Sequence, residues 1–447
     1  MRGSSLIFAG MTDAEHSLFP PLSEAEWQEV AEKSLKGKKL SDVGSPRADG
    51  LNIPLWTRKA PAIALPPRSI ATPEAGSPWQ IQETISDPDQ LMQGLLHGVS
   101  GVRISPEAFE RHGLHDLLAG VHLEMIDLHL DGPEASGLLR ELIAIAGERN
   151  CGGGKFKGAC SLDLTRKDLA TDPGKVHRHV EAWGAAFPNF KTWGADAAPW
   201  LESGMNAVDA LALMLLAVDA HWAELARTRP VEDLLESAVL RWSVGTEVLV
   251  EAAALRALRV LVTMWVENCG LPAGQIWLDA RTSPIRFEAS KPEDNLLRTT
   301  ASAYAAALGG ADGIEVLPHT FRTHPNPSAS ARRYARNVQH LLIEESRMHQ
   351  TFDPLQGSRW VGAATQQFVD SAWQKFMEHR GRSVADLAED GTLESWIQNG
   401  RKARLAEGMF RPHDAEGELQ GDVGEVEWDG RGLPRPWFLV ADEQSEK

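Results

Sequence analysis

Residues 275–318 read QIWLDARTSPIRFEASKPEDNLLRTTASAYAAALGGADGIEVLP. QIWLDART (275–282) is a strand-like run, Asn295–Leu308 is a helical pattern rich in Ala and Leu, and GIEVLP (313–318) is strand-like again. A strand, a helix and a second strand in that order form one turn of an alternating β/α fold. The same rhythm extends upstream. WQIQETI (79–85) precedes Asp87–His97, GVRI (101–104) precedes Glu107–Leu118, and VHLEMIDLHL (121–130) precedes Glu134–Arg149. KGACSLDLT (157–165) precedes Pro173–Ala186, KTWGADA (191–197) precedes Glu202–Arg227, and RWSVG (241–245) precedes Val248–Glu267. Downstream, the strand at 313–318 precedes Ser330–Arg347.

These eight β-then-α units require parallel strands joined by helical crossovers. Eight units in roughly 250 residues is the usual size of a (β/α)8 TIM-type barrel, and that α/β fold is the expectation. An open doubly wound sheet is the alternative, but no glycine-rich dinucleotide fingerprint follows the first strand. Around the barrel, 79–350, the sequence divides into an N-terminal extension (1–60) and a Pro-rich linker (61–78). It continues with C-terminal helices (351–410, at Thr365–Arg380 and Leu393–Glu407) and an acidic tail (411–447). Within the extension Ser23–Leu35 reads as an amphipathic helix, with Ser23 as N-cap and Glu26 three residues on.

The net charge of −17 gives nucleic acid no basic surface to bind. Cys151, Cys160 and Cys269 form no Cys-x-x-Cys pair, and three is a poor number for a disulfide framework, so a reducing cytoplasm is expected. The apolar patch Leu6–Met11 is too short for a signal peptide, and no apolar run reaches membrane-spanning length.

Few residues present chemistry by pattern alone. Cys151-Gly-Gly-Gly-Lys155 precedes a strand instead of following one, so it reads as a turn and not a phosphate loop. His319 and His324 lie in a Pro-rich loop after the eighth strand with no carboxylate or cysteine at ligand spacing, and no metal site is expected. His177 and His179 read as surface groups, and His122 with Glu124 as a same-face pair in the third strand. Arg322, together with Arg332 and Arg336 at the start of the eighth helix, forms the candidate anion- or substrate-binding group. Pairing of these arginines with Glu344, Glu345 and their neighbours is the equal alternative. No nucleophile–base arrangement is seen, so no catalytic residue is assigned.

Several segments, in order from about Trp27 to about Arg404, resemble the methylmalonyl-CoA mutase family of adenosylcobalamin-dependent acyl-CoA mutases. They are Gly50-Leu-Asn-Ile-Pro-Leu-Trp56, Pro78-Trp79-Gln80-Ile81-Gln82, Trp242-Ser-Val-Gly245 with Glu251–Arg259, and Pro292–Thr300 with Ala305–Gly310. Ser330-Ala-Arg332, Ala335-Arg336-Asn337-Val-Gln339, Glu344-Glu-Ser346 and Asp353-Pro-Leu-Gln-Gly357-Ser358 complete the series. The resemblance implies an acyl-CoA threaded through the barrel and a radical 1,2-rearrangement such as (R)-methylmalonyl-CoA to succinyl-CoA, with the cofactor carrying the hard chemistry.

The chain departs from the catalytic pattern at the positions that matter most. Ala159-Cys160-Ser161-Leu162-Asp163 stands where catalytic members carry Thr-Ile-Gln-Asn-Asp, and Pro199 takes the place of the fifth-strand histidine. Trp277 replaces an arginine, and Ile314-Glu315-Val316-Leu317 replaces Leu-His-Thr-Asn. Most of these changes remove a hydrogen-bonding or cationic group, which predicts a filled barrel. The family's cobalt-ligating Asp-x-His-x-x-Gly occurs only as Asp127–Gly132, in the third predicted strand, and is read as a coincidence of letters.

The pattern therefore resembles the small, non-catalytic subunit of heterodimeric mutases. It implies a catalytic large subunit as partner, with adenosylcobalamin bound by that partner and acyl-CoA met only through the complex. The alternative is a substrate-binding barrel that borrows a separate cobalamin-binding subunit. That reading predicts an open tunnel and a docking face at the C-terminal ends of the strands.

Overall fold

The computed structural model describes residues 23–36, 39–40, 51, 78–130, 135–271, 276–324, 326–351, 353–406 and 425–437. The linker 61–78 except Pro78, all of Gly50–Trp56 except Leu51, and most of the extension lie outside them. Two compact units divide the chain, residues 1–46 and 47–447. The first contains the helix Glu24–Ser34, where Ser23 and Glu26 close a capping box.

The second unit is a (β/α)8 barrel. Its strands are β1 Gln80–Ile85, β2 Gly101–Ile104, β3 Asp127–Leu130, β4 Lys157–Asp163, β5 Phe190–Asp196, β6 Ala238–Val244, β7 Trp277–Thr282 and β8 Gly313–Glu315. Each pairs in parallel with the next, and β8 returns to β1 to close the ring. Helices follow the strands as the alternation predicts, and Pro173–Ala186 and Asn295–Leu308 have the expected bounds. Apolar residues facing outward from the strands, such as Ile85, Trp193 and Trp242, pack under these helices in one continuous core. Gly158 has φ +144°, and a Cβ there would stand 1.9 Å from the Leu128 carbonyl oxygen, so the β3–β4 contact requires glycine. The β4–β5 register then shifts between Ala159 and Leu162.

Several local expectations change. The third strand starts only at Asp127, because Leu123–Met125 forms a 3-10 turn that leaves His122 and Glu124 exposed, so they form no interior pair. The segment read as one helix over Glu202–Arg227 is two, Ala198–Glu202 and Ala207–Leu225. Asn206 caps the second of them by accepting the Asp209 N–H. The eighth helix, Ala329–His340, passes into a π turn at Leu341–Glu345. His179 is buried, with Nε2 2.6 Å from the Cys160 carbonyl, and burial lowers its pKa to about 4. The surface reading failed because the helix turns this histidine onto the sheet.

After the barrel come helices Arg359–His379, Val384–Glu389 and Thr392–Ala406. Residues 425–437 then form a short hairpin closed by a Trp428–Pro434 bridge and by Asp429 N donating to Leu433 O at 2.9 Å. This hairpin packs on the barrel. The Trp428 ring meets Trp200 edge-on at 6.0 Å. Arg401, fully buried, donates to Ser203 O at 2.7 Å and to Glu425 O at 3.1 Å, and lies over the Trp437 ring. Gly432 has φ +72° and sits against Lys167, where a Cβ would approach to 2.4 Å. No helix among the described residues is long and apolar enough to cross a membrane.

Candidate functional site: the barrel lumen and its mouth

Alternate residues of a barrel strand point inward. Here these are Gln80 and Gln82 from β1, Arg103 from β2, Asp127 and His129 from β3, Arg241 from β6, Trp277, Asp279 and Arg281 from β7, and Glu315 from β8. They are joined by hydrogen bonds and ion pairs across the interior.

Asp279 is the hub. Its Oδ1 accepts Gln82 Nε2 at 2.7 Å and Trp277 Nε1 at 2.5 Å, and its Oδ2 accepts Arg103 Nη2 at 3.1 Å. Arg241 Nε lies 3.7 Å and His129 Nδ1 3.9 Å from the same Oδ2. Gln82 passes the network to Gln80 (2.9 Å), and Gln80 passes it to Asp127 (2.6 Å) and His129 (3.1 Å). Burial acts to raise the Asp279 carboxyl, but His129, Arg103, Arg241 and the Trp277 N–H outweigh it and hold the group below its ordinary range. Burial raises Asp127, with the Gln80 bond opposing.

β3 and β7 stand on opposite sides of the closed ring. A 3.9 Å approach between His129 and Asp279 therefore spans the barrel axis. Gln82, Arg103, His129 and Asp279 are all buried at this level. The lumen is filled here, but by a polar network. Trp277, read as an apolar plug, is one of its hydrogen-bond donors.

Above the network, at the C-terminal ends of the strands, the lumen opens into a cavity of about 360 Å³. Arg103, Arg241, Arg281, Asp163, Asp196 and Glu315 line it, with Pro199 on one wall and Arg431 and Leu433 of the hairpin at its rim. Asp163 Oδ1 accepts the Thr165 N–H and hydroxyl and the Asp196 N–H, at 2.8–3.0 Å. Burial, then the neighbouring Asp196 charge, pushes the Asp163 carboxyl up to about 6. Arg281 donates to Glu202 at 2.6 Å, and Glu202 also accepts the Ser243 hydroxyl at 2.8 Å.

The three arginines singled out from the sequence lie elsewhere. Arg332 and Arg336 are buried against Glu83 of β1, not against Glu344 or Glu345. Arg322 donates to the Phe287 carbonyl at 2.5 Å. Asn295 ties Glu288 to the His319 carbonyl and so fixes two loops at the mouth. Arg298 pairs with Glu288 beside it. Among the described residues, no group of three or more His, Cys, Asp or Glu is placed to hold a metal ion.

The lumen residues were missed, although the signal for them was present. Strands covered on both faces usually read as continuous apolar runs, whereas Gln80-Ile-Gln82-Glu-Thr84 and Trp277-Leu-Asp279-Ala-Arg281 alternate polar and apolar residues.

The Methylmalonyl-CoA mutase family profile matches residues 84–407. Similar curated proteins carry the name methylmalonyl-CoA mutase small subunit. The Streptomyces virginiae protein is 28% identical over 86% of this chain and 68% of its own length. The Propionibacterium freudenreichii subsp. shermanii protein is 24% identical over 90% and 69%. A Mycobacterium bovis protein, named as a probable small subunit, is 29% identical over 66% and 50%. The chain thus spans between half and about two thirds of the length of these relatives.

Proposed function

Because the chain belongs to the methylmalonyl-CoA mutase family, we propose that it is the small, non-catalytic subunit that supports a catalytic large subunit. In this reading the large subunit interconverts (R)-methylmalonyl-CoA and succinyl-CoA by radical rearrangement and binds the adenosylcobalamin. The observation that carries the proposal is the bridge across the barrel axis. An acyl-CoA needs a continuous passage to thread the barrel. The His129–Asp279 approach, with Gln82 and Arg103 packed beside it, fills the centre of that passage.

The residues present do not fit a cobalamin. His129, the histidine of the one Asp-x-His-x-x-Gly run, is buried inside β3 and its Nε2 faces Gln80 at 3.1 Å. No reaction step is therefore assigned to this chain. The small-subunit names of the relatives support a large-subunit partner, and three cysteines outside any disulfide favour a reducing, cytoplasmic setting. The rival reading, a substrate barrel with a borrowed cobalamin subunit, needs an open tunnel and a clear face at the strand C-termini. The bridged lumen and the hairpin at the mouth both weigh against it.

The test is an isomerase assay with adenosylcobalamin and methylmalonyl-CoA, with and without a co-expressed mutase large subunit. The expected result is no turnover from the chain alone, stable co-purification, and higher activity or stability of the large subunit. Turnover by the chain alone, or on adding only a cobalamin-binding domain, overturns the proposal.

A further inference from the structure

A second cavity, about 170 Å³, lies between the C-terminal ends of β1 and β8 and the helix Ala329–His340. Thr84, Ser86, Leu317, Phe321, Arg332 and Arg336 are among its walls. Arg332 and Arg336 are four residues apart, so they project from one helix face. Each is only 7% exposed.

Both guanidiniums converge on one carboxylate. Arg332 Nη1 donates to Glu83 Oε1 at 3.1 Å, and Arg336 Nη1 donates to Glu83 Oε2 at 2.7 Å. Arg332 also reaches the Thr84 carbonyl (2.9 Å) and, through Nε, the Pro327 carbonyl (3.4 Å). Nε of Arg336 is buried without a hydrogen-bond partner. Each guanidinium carries five N–H donors, so most of the pair's donor capacity is uncommitted.

The charge balance points the same way. Of the charged groups around the cavity, Arg281 is paired with Glu202 and Glu315 lies beside Arg103, which leaves Arg332 and Arg336 against Glu83 alone. One positive charge is in excess where solvent is largely excluded, an arrangement that costs several kcal/mol unless an anion compensates it. The first turn of the helix, capped by Ser328, adds a dipole of the favourable sign. Barrels of this class frequently hold phosphate beside the loops that follow the last two strands.

We propose that this cavity is a binding site for a tetrahedral oxyanion, a phosphate either free or carried by a phosphoester, gripped by Arg332 and Arg336. Its volume accommodates one such group with a few waters of about 30 Å³ each. The site is independent of the mutase reading and stands or falls separately from it.

The experiment is calorimetric titration of the full chain with inorganic phosphate at fixed ionic strength, with chloride as control. Saturable binding is expected. Arg336→Gln weakens it at least tenfold, Arg336→Lys weakens it less, and Glu83→Gln, which removes the competing carboxylate, tightens it several-fold. Competition with CoA separates the two sources. Displacement of phosphate by CoA identifies a phosphoester site, and indifference to CoA identifies a free-anion site; both uphold the proposal. Heat no different from the chloride control overturns it. So does equal affinity in the wild type and whichever Arg336 variant folds.

Discussion

The centre and the mouth of this barrel contain the same residue types in opposite electrostatic states. At the centre, one carboxylate, Asp279, faces Arg103, Arg241 and His129, takes N–H bonds from Gln82 and Trp277, and is held ionised despite burial. At the mouth, Asp163 and Asp196 come together with Arg241 Nη1 3.9 Å from Asp196, while Arg166 is committed to Asp168 and Arg431 to Asp429. Asp163 answers by holding its proton up to about 6. Burial of charge is tolerable where partners and hydrogen bonds are complete and shifts protonation where they are not. The closed centre around Asp279 is thus a structural element, and the largest upward shift of a carboxyl among these groups lies at the mouth, on Asp163.

The comparison breaks most directly at Asp279. Asp279→Ala strands Arg103 and Arg241 in the lumen without their shared partner and leaves one Gln82 amide N–H and the Trp277 N–H without their acceptor. Removing one member of a buried ion pair costs about 3–5 kcal/mol, so denaturant unfolding should show a loss of that order. A loss under about 1 kcal/mol, the range of exposed pairs, would mean that the centre is hydrated and the bridge across the axis is not a seal.

Asp163 tests the other end, and here the sign is set by linkage. Its folded pKa of about 6 lies above the ordinary aspartate value of about 3.9, so the folded state binds the proton more tightly than the unfolded chain. The stability this group contributes is present below about pH 4 and is lost as the pH rises toward about 6. Asp163→Asn keeps an Oδ1 to accept the Thr165 and Asp196 donors and removes the charge. At about 1.4 kcal/mol per pKa unit, a rise of about two units means that the variant should match wild type near pH 4 and exceed it by on the order of 3 kcal/mol at pH 8. Equal loss at both pH values would show that Asp163 acts only as a hydrogen-bond acceptor.

Strand count, closure and most helix bounds were legible because period-2 and period-3.6 patterns are local. What the lumen contains was not. The departures Trp277 and Pro199 read as apolar filling, yet Trp277 carries an indole N–H that ends on Asp279, and in the run 314–317 the charged Glu315 takes the inward position while Ile314 packs outward into the core. Inward or outward depends on strand phase, and the phase is fixed only when all eight strands register with one another. Arg332 and Arg336 were found by sequence as a cationic pair, but their carboxylate, Glu83, lies about 250 positions away in the chain, beyond any local pattern. The hairpin at the mouth was likewise hidden inside what reads as an acidic tail, since Trp428, Leu433 and Trp437 are spaced too irregularly to announce a packed element.

The smallest effect is expected at that hairpin, and it sharpens the comparison because it acts on the mouth alone. Trp428 is 37% exposed and meets the buried Trp200 edge-on, while Trp200 is itself fixed by its Nε1 bond to Thr165 at 2.9 Å. An aromatic pair of this geometry contributes about 0.5–1.5 kcal/mol beyond its buried area. Trp428→Ala should therefore speed hydrogen exchange at the Asp429 and Arg435 amides, which bond to Leu433 and Glu427 across the hairpin. Global unfolding should move by less than about 1 kcal/mol, because Arg401 and Trp437 still hold the hairpin's ends and local openings lie below the global free energy. Global stability falling as far as hairpin protection would mean that the mouth and the centre unfold as one unit, and the division between a sealed interior and an adjustable rim would not hold.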